Sequence, residues 1–265
     1  MKRTNEAVIL DLTHDETTST PTKKTKVWKQ GKLSFSPPPQ TVKSLEETTA
    51  EPSSLISCST TPPTNHLTPM SSSFIINDKE NGVKVKYISN YISKRESKVL
   101  FDRLMETCKW RAREVNPFSG KKVASPRRYA MISPSDEWIP ELCDLKKRVE
   151  EFTGEIFNHA LINRYDGGNH TIMWHADKET NFLVGSSVAS ISLGQARDFQ
   201  FRPSKRKPGD EIITKNLSDG SLVVMNYQTQ FHYEHCIPKR SGIIGTRINI
   251  TFRNYTHSFS KENYL

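Results

Sequence analysis

The stretch Arg247-Ile248-Asn249-Ile250-Thr251-Phe252-Arg253 alternates polar and apolar residues with a period of two. That period is typical of a β-strand with one face toward a core, so Ile248, Ile250 and Phe252 are predicted to be buried. The other face carries two arginines, which are costly inside a sheet unless their charges are paired. A small dicarboxylate would pair them, because a guanidinium matches carboxylate geometry. An exposed edge strand or ion pairs with local acids would also explain this face.

Seven more strand-like runs lie between Gly154 and this strand, separated by turn residues. They are Phe157–Tyr165, Thr171–His175, Val188–Leu193, Phe199–Phe201, Glu211–Thr214, Leu222–Asn226 and Phe231–Cys236. Eight short strands with hairpin punctuation predict a jelly-roll or barrel-like double sheet. Two helices precede them, one opened by the capping box at Ser93–Glu96 and one running from Pro140 to Gly154. Both helices are expected to cover the core.

The first part of the chain has a different composition. About a third of residues 1–73 are Ser or Thr and prolines cluster there, which predicts a disordered tail before a folded domain at residues 74–265. The cluster Lys23–Lys26 suits a nuclear address or a basic arm. The segment Gln30–Phe35 loosely resembles the motif by which repair proteins dock on the sliding clamp, although chance apolar residues in a linker would look the same.

Composition excludes several classes of protein. The formal charge of +9 and a pI near 9.3 suit a polyanionic partner. The four cysteines lack CxxC spacing, which excludes a disulfide framework and a thiolate zinc site and suits a reducing compartment. No membrane span and no secretory signal are expected, because no apolar run approaches the roughly 18–20 residues of a span. No GxGxxG, P-loop or zincin motif appears.

A candidate metal site lies in the strand-rich half. His175 and Asp177 share one face of an extended chain, so both side chains can reach one ion. Two histidines and one carboxylate would form the set that leaves three positions open on Fe(II). His235 is the candidate third ligand, with His232 and His170 as rivals. Without a third ligand, the pair is an ordinary surface feature.

Other polar groups could bind an anion. Asn163 and Tyr165 share a strand face and can bond a carboxylate, unless they simply end a strand at the Asp166-Gly167 turn. Basic clusters fall in predicted loops and could contact phosphates with salt-dependent, sequence-indifferent affinity. These clusters are Lys121-Lys122, Arg127-Arg128, Arg202–Lys207 and Lys239-Arg240. Solvated loops are the alternative explanation.

The ordered set of motifs resembles the AlkB family of Fe(II)/2-oxoglutarate dioxygenases over roughly Tyr87 to Tyr255. The motifs that carry the resemblance are Asn163-Arg164-Tyr165, His175-Ala176-Asp177, His235-Cys236-Ile237-Pro238, Arg247–Arg253, Ile191–Phe199 and Leu217–Met225. The closest likeness is to eukaryotic DNA-repair members that act on 1-methyladenine and 3-methylcytosine. The resemblance implies a mostly β fold with flanking helices, a double-stranded β-helix of the jelly-roll or cupin-like type.

The resemblance also implies cofactors and their ligands. Fe(II) would be held by His175, Asp177 and His235, with 2-oxoglutarate as cosubstrate and O₂ as co-reactant. Arg247 would bind the 2-oxoglutarate carboxylate distal to the iron. The residues that would assist it or complete the pocket are Asn163, Tyr165, Asn249, Thr251 and Arg253. The family's reaction yields succinate and CO₂, and it oxidises an N-methyl group whose hydroxymethyl product loses formaldehyde.

Substrate recognition follows the family less closely. Ser125–Arg128 resembles the start of the nucleotide-recognition lid, but the aromatic-rich loop of the repair members is missing. Tyr129, Met131 or Trp174 would replace its aromatics. Phe118 would be a duplex wedge or an ordinary loop anchor; a wedge makes sense because the base must leave the stack. The full set of nucleic-acid candidates is Phe118, Lys121, Lys122, Arg127, Arg128, Tyr129, Lys205 and Arg206.

The sequence therefore predicts a nuclear, monomeric enzyme that oxidatively demethylates N-alkylated DNA bases. The alternative within enzymes is the same chemistry on RNA or on a protein side chain. The alternative from another class is a non-catalytic adaptor that binds nucleic acid or the clamp. The intact ligand set and the two arginines argue against the adaptor, which would not need them.

Overall fold

The computed structural model of the protein describes residues 71–115, 123–179 and 181–256, which contain twelve strands and three helices. The strands are β1 Ser72–Asp78, β2 Val83–Ile88, β3 Arg111–Val115, β4 Val123–Ile132, β5 His159–Asp166, β6 Ile172–His175, β7 Val188–Gly194, β8 Arg197–Pro203, β9 Ile213–Leu217, β10 Leu222–Met225, β11 Tyr233–Ile237 and β12 Thr246–Arg253. The helices are α1 Lys94–Thr107, α2 Pro140–Thr153 and α3 Thr229–His232.

The strands form two antiparallel sheets. The large sheet has the order β1-β2-β10-β7-β12-β5-β4-β3, and the small sheet has the order β6-β11-β8-β9. Consecutive strands often belong to different sheets, as when β5 is followed by β6 and β10 by β11. This double-sheet, mostly β arrangement confirms the predicted jelly-roll class.

Helices α1 and α2 cover one face of the large sheet. The predicted capping box is present at the start of α1, where Ser93 and Glu96 bond each other's backbone amides. Helix α2 begins at Pro140 and ends before Gly154, whose φ of 72° suits a residue without a Cβ. Both helices bury their apolar faces in one cluster with the large sheet, as the sequence predicted.

Strand β12 divides the interior into two compartments. Its apolar residues Ile248, Ile250 and Phe252 are fully buried in the cluster that α1 and α2 cover, which confirms the predicted alternation. The opposite face of the large sheet meets the small sheet around a second apolar cluster, which includes Tyr165 and Phe201. The polar residues of β12 face that second compartment.

Several local predictions were wrong. The run predicted as one strand from Phe231 to Cys236 begins as helix α3, and β11 starts only at Tyr233. Strands β1, β3 and β4 were not predicted, and β1 begins at Ser72, inside the predicted tail. Arg127 and Arg128 lie in β4 rather than in a loop. None of the helices in the described ranges is long and apolar enough to span a membrane.

Candidate metal centre and anion pocket

Three side chains predicted as metal ligands meet between the two sheets. His175 ends β6 and lies directly opposite His235 of β11, so the two imidazole centroids are 4.2 Å apart. Asp177 follows two residues later, with its carboxylate oxygens 3.8 Å from the Nε2 atom of each histidine. All three ligand atoms lie within 4.8 Å of one another, close enough to hold one metal ion.

The two rival histidines lie elsewhere. His232 ends helix α3 and is absent from this cluster. The Nδ1 atom of His170 accepts a hydrogen bond from the backbone amide of Asp166 at 2.8 Å. His235 is therefore the histidine that the fold brings to His175.

A bulge in β6 positions His175. The pairing of β6 with β11 shifts register between His235 and Ile237, so three steps along β6 match two along β11. Ile172 packs against the apolar cluster between the sheets, while His175 reaches the metal cluster. In a regular strand these two side chains, three residues apart, would point to opposite faces; the extra residue lets both point inward.

Hydrogen bonding orients the His175 imidazole. Its Nδ1 lies 2.8 Å from the backbone carbonyl of Met173, so Nδ1 donates and Nε2 keeps a free lone pair. The His235 ring lies beside Phe199 and Phe201, with ring centroids 5.2 and 6.1 Å away. Burial, with a further contribution from His175, lowers the pKa of His235 to about 3. A neutral imidazole is the form that ligates a metal.

The lowered pKa of His235 predicts acid sensitivity of the metal-free protein. Between the ordinary imidazole pKa of 6.5 and about 3, the unfolded chain binds a proton at this residue and the folded chain does not. The free energy of unfolding should therefore fall with falling pH in that window, by at most about 1.4 kcal/mol per pH unit. Urea unfolding at several pH values measures this slope. The His235→Gln variant should have a shallower slope, and equal slopes would contradict the assignment.

Asp177 is held in place by its neighbours. Its backbone amide donates to Oε1 of Gln230 at 2.9 Å, and its Oδ1 accepts from Nη2 of Arg253 at 2.8 Å. Arg253 also bonds Glu179 and donates to the Tyr255 hydroxyl at 3.0 Å. Burial alone would raise the pKa of Asp177, but the charge of Arg253, with help from both histidines, lowers it to about 2. The carboxylate is thus anionic and ready to ligate a cation.

Arg247 is a second charged side chain buried in the interior. It is 1% exposed, its Nη2 donates to Oγ of Ser192 at 3.0 Å, and its guanidinium carbon lies 5.4 Å from the Tyr165 ring centroid. Burial lowers its pKa to about 10. Its Nε and Nη1 atoms are buried without a hydrogen-bond partner in the described part of the chain. Such an unpaired buried cation fits the distal carboxylate of a small dicarboxylic acid.

A row of polar side chains crosses the large sheet and contributes to the cavity at the metal cluster. Asn163 of β5 pairs with Asn249 of β12 and with Tyr129 of β4, so these three residues form a row across the sheet. The Nδ2 atom of Asn249 donates to Oγ of Ser190 at 2.7 Å. The cavity has a volume of about 430 Å³. It is lined by the three candidate ligands and by Asn163, Tyr165, Asn249, Thr251 and Arg253, among others.

Among the predicted nucleic-acid residues that fall in the described ranges, Arg127 is the one that lines this cavity. Phe118, Lys121 and Lys122 lie outside the described residues. Arg127 lines the cavity and its Nε donates to Oδ1 of Asn163 at 3.3 Å. The structure leaves Arg128, Lys205 and Arg206 exposed, whereas Tyr129 is buried.

Two of the predicted phosphate-binding arginines are engaged in ion pairs. Arg202 lies in β8 rather than in a loop, and its Nη2 is 2.7 Å from Oε2 of Glu234. The Nε of Arg240 is 2.7 Å from Oδ2 of Asp198. These acids offset part of the positive charge that the basic clusters contribute.

Arg197 is a structural residue that sequence reasoning missed. It is 1% exposed, and its guanidinium donates to the backbone carbonyls of Gly167, His170 and Pro238 at 2.9–3.0 Å. These carbonyls belong to the loop before β6 and to the segment after β11, so Arg197 joins the ends of the two histidine-bearing strands. Nothing in the sequence around Arg197, which lies two residues before Phe199 in β8, indicates that its side chain bonds these carbonyls.

We expect Arg197→Met to destabilise the fold by about 2–4 kcal/mol, because three partly buried carbonyls lose their charged donor. Urea unfolding of the metal-free protein measures the effect. Arg202→Met is the matched control, since its partly exposed ion pair with Glu234 is worth less than about 1 kcal/mol. Equal destabilisation by the two substitutions would contradict the role of Arg197.

A double-stranded β-helix with a His-x-Asp pair and a distant histidine defines a class of oxygenases, and sequence comparison agrees. The family model described as the 2OG-Fe(II) oxygenase superfamily matches residues 84–253. The chain belongs to this superfamily. The cofactor and co-reactants of the superfamily are Fe(II), 2-oxoglutarate and O₂, and the anionic triad and unpaired Arg247 are suited to the first two.

Relatives narrow the class to the AlkB type that the motifs resemble. The "DNA oxidative demethylase ALKBH2" of Bos taurus is 41% identical over 142 residues, 51% of this chain and 50% of the relative. The protein of that name in Arabidopsis thaliana is 30% identical over 215 residues, 66% of this chain and 68% of the relative. The "Alpha-ketoglutarate-dependent dioxygenase alkB homolog 3" of Rattus norvegicus is 29% identical over 180 residues, 62% and 61% of the two chains. The chain spans about half the length of the Bos taurus relative and 61–68% of the length of the other two.

Proposed function

We propose that this protein oxidatively demethylates N-alkylated bases in DNA, of the 1-methyladenine and 3-methylcytosine type. The observation that carries the proposal is one cavity lined by the His-Asp-His cluster and by Tyr165, whose ring centroid lies 5.4 Å from the guanidinium carbon of the buried Arg247. Relatives named DNA oxidative demethylases supply the substrate class. The reaction would consume 2-oxoglutarate and O₂ and release succinate, CO₂ and formaldehyde.

His175, Asp177 and His235 would hold Fe(II) and leave three positions open for cosubstrate and O₂. The chain prepares these ligands before any metal arrives. His175 has one ring nitrogen committed to a backbone carbonyl, His235 is neutral, and Arg253 keeps Asp177 anionic. Fe(II) and 2-oxoglutarate, when bound, supply the oxidation of the N-methyl carbon by O₂.

Arg247 would bind the 2-oxoglutarate carboxylate that lies distal to the metal. Its unpaired Nε and Nη1 atoms supply donors, and Tyr165 and Asn163 would assist it. Arg253 bonds Asp177 and lines the same cavity, so it would orient both the metal ligand and the proximal end of the cosubstrate. Asn249 would complete the wall.

Thr251 and the apolar residues beside the cavity would limit access of water to the reaction. Thr251 lies on the β12 face that lines the cavity, and Phe199 and Met225 contribute apolar surface to it. A dry, shaped cavity strengthens charge interactions and directs the oxidation to the bound methyl group. The hydroxymethyl product would then lose formaldehyde and leave the unmodified base.

Phosphate contacts would come from Arg127, which lines the cavity, and from exposed cations outside its lining. Arg127 and Arg128 of β4 and the exposed pair Lys205 and Arg206 would give salt-dependent binding that ignores sequence. Phe118, Lys121 and Lys122 remain candidates for the same surface, and Tyr129 would support the row that begins at Asn163.

Further proposals concern the rest of the protein. The disordered tail predicted for residues 1–73 would end before β1, which begins at Ser72, and the catalytic domain would run from there to residue 265. The segment Gln30–Phe35 would dock on the sliding clamp, and the Lys23–Lys26 cluster would direct the protein to the nucleus. The enzyme would act as a monomer.

The test incubates the purified full chain with Fe(II), ascorbate, O₂ and 2-oxoglutarate. Oligonucleotides carry 1-methyladenine, 3-methylcytosine or N6-methyladenine, as DNA and as RNA, single-stranded and duplex. Mass spectrometry of the bases should detect repair of the first two in DNA. Faster repair of RNA would move the proposal to an RNA substrate. Succinate release without repair of any oligonucleotide would favour a protein side chain, and no turnover at all would favour an adaptor.

A further inference from the structure

The cavity mouth carries exposed apolar side chains that the proposed chemistry does not use. Met173 is 76% exposed, because the bulge in β6 turns Ile172 and His175 inward and leaves Met173 and Trp174 at the rim. Phe231 of α3 is 46% exposed. Exposed apolar residues grouped at one opening are typical of a binding surface.

Helix α3 lies next to the metal cluster. Gln230, the neighbour of Phe231, accepts a hydrogen bond from the Asp177 amide, and Lys178 lines the cavity. The Nζ atom of Lys178 lies 5.5 Å from the Phe231 ring centroid. Phe231 does not itself line the cavity, but its ring lies next to Lys178, which lines the cavity as Trp174 does.

Each aromatic ring at the rim is paired with a cation. The guanidinium carbon of Arg202 lies 4.3 Å from the Trp174 ring centroid, and Glu234 holds that guanidinium at 2.7 Å. The Phe231 ring is held by Lys178 on one side and by an edge contact with Tyr227, with centroids 4.9 Å apart. The rings are thus fixed in position before a ligand arrives, which lowers the entropy cost of binding.

Aromatic rings beside cations fit an unpaired nucleotide strand. A base stacks on the ring and a cation attracts the adjacent phosphate, without regard to sequence. Lys178 has no acidic partner in the described part of the chain, so its ammonium is available to a phosphate. In a duplex the bases next to the target are stacked on each other, and these ring faces would stay unused.

We propose that Trp174 and Phe231 form a rim platform that stacks the two nucleotides flanking the target base. The preferred substrate of the enzyme is then a single strand of DNA. This inference rests on the proposed function, because it assumes that the alkylated base enters the cavity. Met173 and Lys178 complete the rim platform, one as apolar surface and the other as a phosphate contact.

The test measures binding of the full chain, without O₂, to strands with one 1-methyladenine. One strand has ordinary neighbours on both sides, one has abasic neighbours, and one is fully paired in a duplex. We expect the ordinary single strand to bind at least about tenfold more tightly than either of the others. Equal affinity for ordinary and abasic neighbours, or tighter binding of the duplex, would overturn the platform.

Substitutions locate the effect. Trp174→Ala and Phe231→Ala should each weaken binding of the strand with ordinary neighbours about fivefold or more. Binding of the strand with abasic neighbours should not change. Phe231→Tyr should bind the ordinary strand as tightly as the unsubstituted protein does, because tyrosine keeps the aromatic ring. Phe74→Ala is the matched control, because Phe74 is 48% exposed with Lys86 5.8 Å from its ring. Phe74 lies on strand β1 at one end of the large sheet, and Lys86, unlike Lys178, does not line the cavity. A loss equal to that of the rim variants in this control would overturn the platform.

The salt dependence of binding isolates the cation. Lys178→Met should reduce the slope of log affinity against log salt by about one. An unchanged slope would remove Lys178 from the platform. Because binding is measured without turnover, a protein that shows the predicted preference but releases no formaldehyde contradicts the proposed function and not the platform. A protein that releases formaldehyde but lacks the predicted binding preference contradicts the platform alone.

Discussion

Asp177→Asn is expected to abolish turnover. The carboxylate is the anionic member of the candidate ligand set and lies 3.8 Å from both histidines, and the amide cannot supply its charge. Loss of Fe(II) affinity should exceed the roughly 10–100-fold that removal of an outer partner of a ligand costs. Metal content after incubation with Fe(II) and formaldehyde release from a methylated strand measure the two effects. Binding of the strand without turnover should remain largely intact.

A matched control distinguishes the loss of a metal ligand from the loss of any carboxylate. Asp198 lies in β8 of the small sheet and pairs with Arg240 at 2.7 Å, on the outside of the protein. Asp198→Asn should retain Fe(II) and near-normal turnover. Full activity in Asp177→Asn, or equal losses in the two variants, would contradict the metal assignment.

Arg247→Met is expected to raise the 2-oxoglutarate concentration needed for half-maximal rate by roughly 10–150-fold. This range corresponds to losing one charge-assisted interaction of about 1.5–3 kcal/mol. Methionine has a similar volume and leaves no buried charge, so the fold should survive. Titration of the Fe(II)-loaded protein with 2-oxoglutarate, without O₂, measures binding directly and does not depend on turnover.

Arg164→Met supplies the comparison for Arg247. Arg164 lies on the neighbouring strand β5 and pairs with Asp166 at 2.8 Å, on the face away from the cavity. This variant should bind 2-oxoglutarate as the unsubstituted protein does. If Arg247→Met also binds it normally, the carboxylate lies elsewhere and Arg253 becomes the leading alternative.

The periodicity of β12 carried much of the correct prediction. A period of two is a local property, so alternate burial of Ile248, Ile250 and Phe252 follows once one face meets the helices. The same reasoning placed His175 and Asp177 together. It could not choose between His235 and His232, since that choice depends on α3 ending at His232 and on the cross-strand pairing of His235 with His175.

Strands β3 and β4 escaped prediction because their sequences look unlike strands. Pro126 lies within β4, where it removes a backbone donor, and two arginines follow it. The register between β3 and β4 shifts between Ala112 and Glu114, and Pro126 lies between the corresponding partners on β4. The end of a sheet tolerates such a bulge. Pairing with β5, far along the chain, stabilises β4 and is invisible in a short window.

The bulge in β6 and the role of Arg197 could not be predicted for a related reason. Both depend on contacts between segments distant in sequence, one across β11 and the other across two loops. Local patterns report which face of a strand is apolar, but not where a strand gains an extra residue. They also do not identify which arginine bonds carbonyls and which binds a ligand.

The most direct test of the central claim is the stoichiometry of the reaction on a single DNA strand with one 1-methyladenine. Formaldehyde and succinate should be released in equal amounts, together with one repaired adenine per turnover, and Asp177→Asn should release none of them. Succinate release without formaldehyde or repaired adenine, with Fe(II) and 2-oxoglutarate both bound, would contradict the claim that this protein demethylates DNA bases.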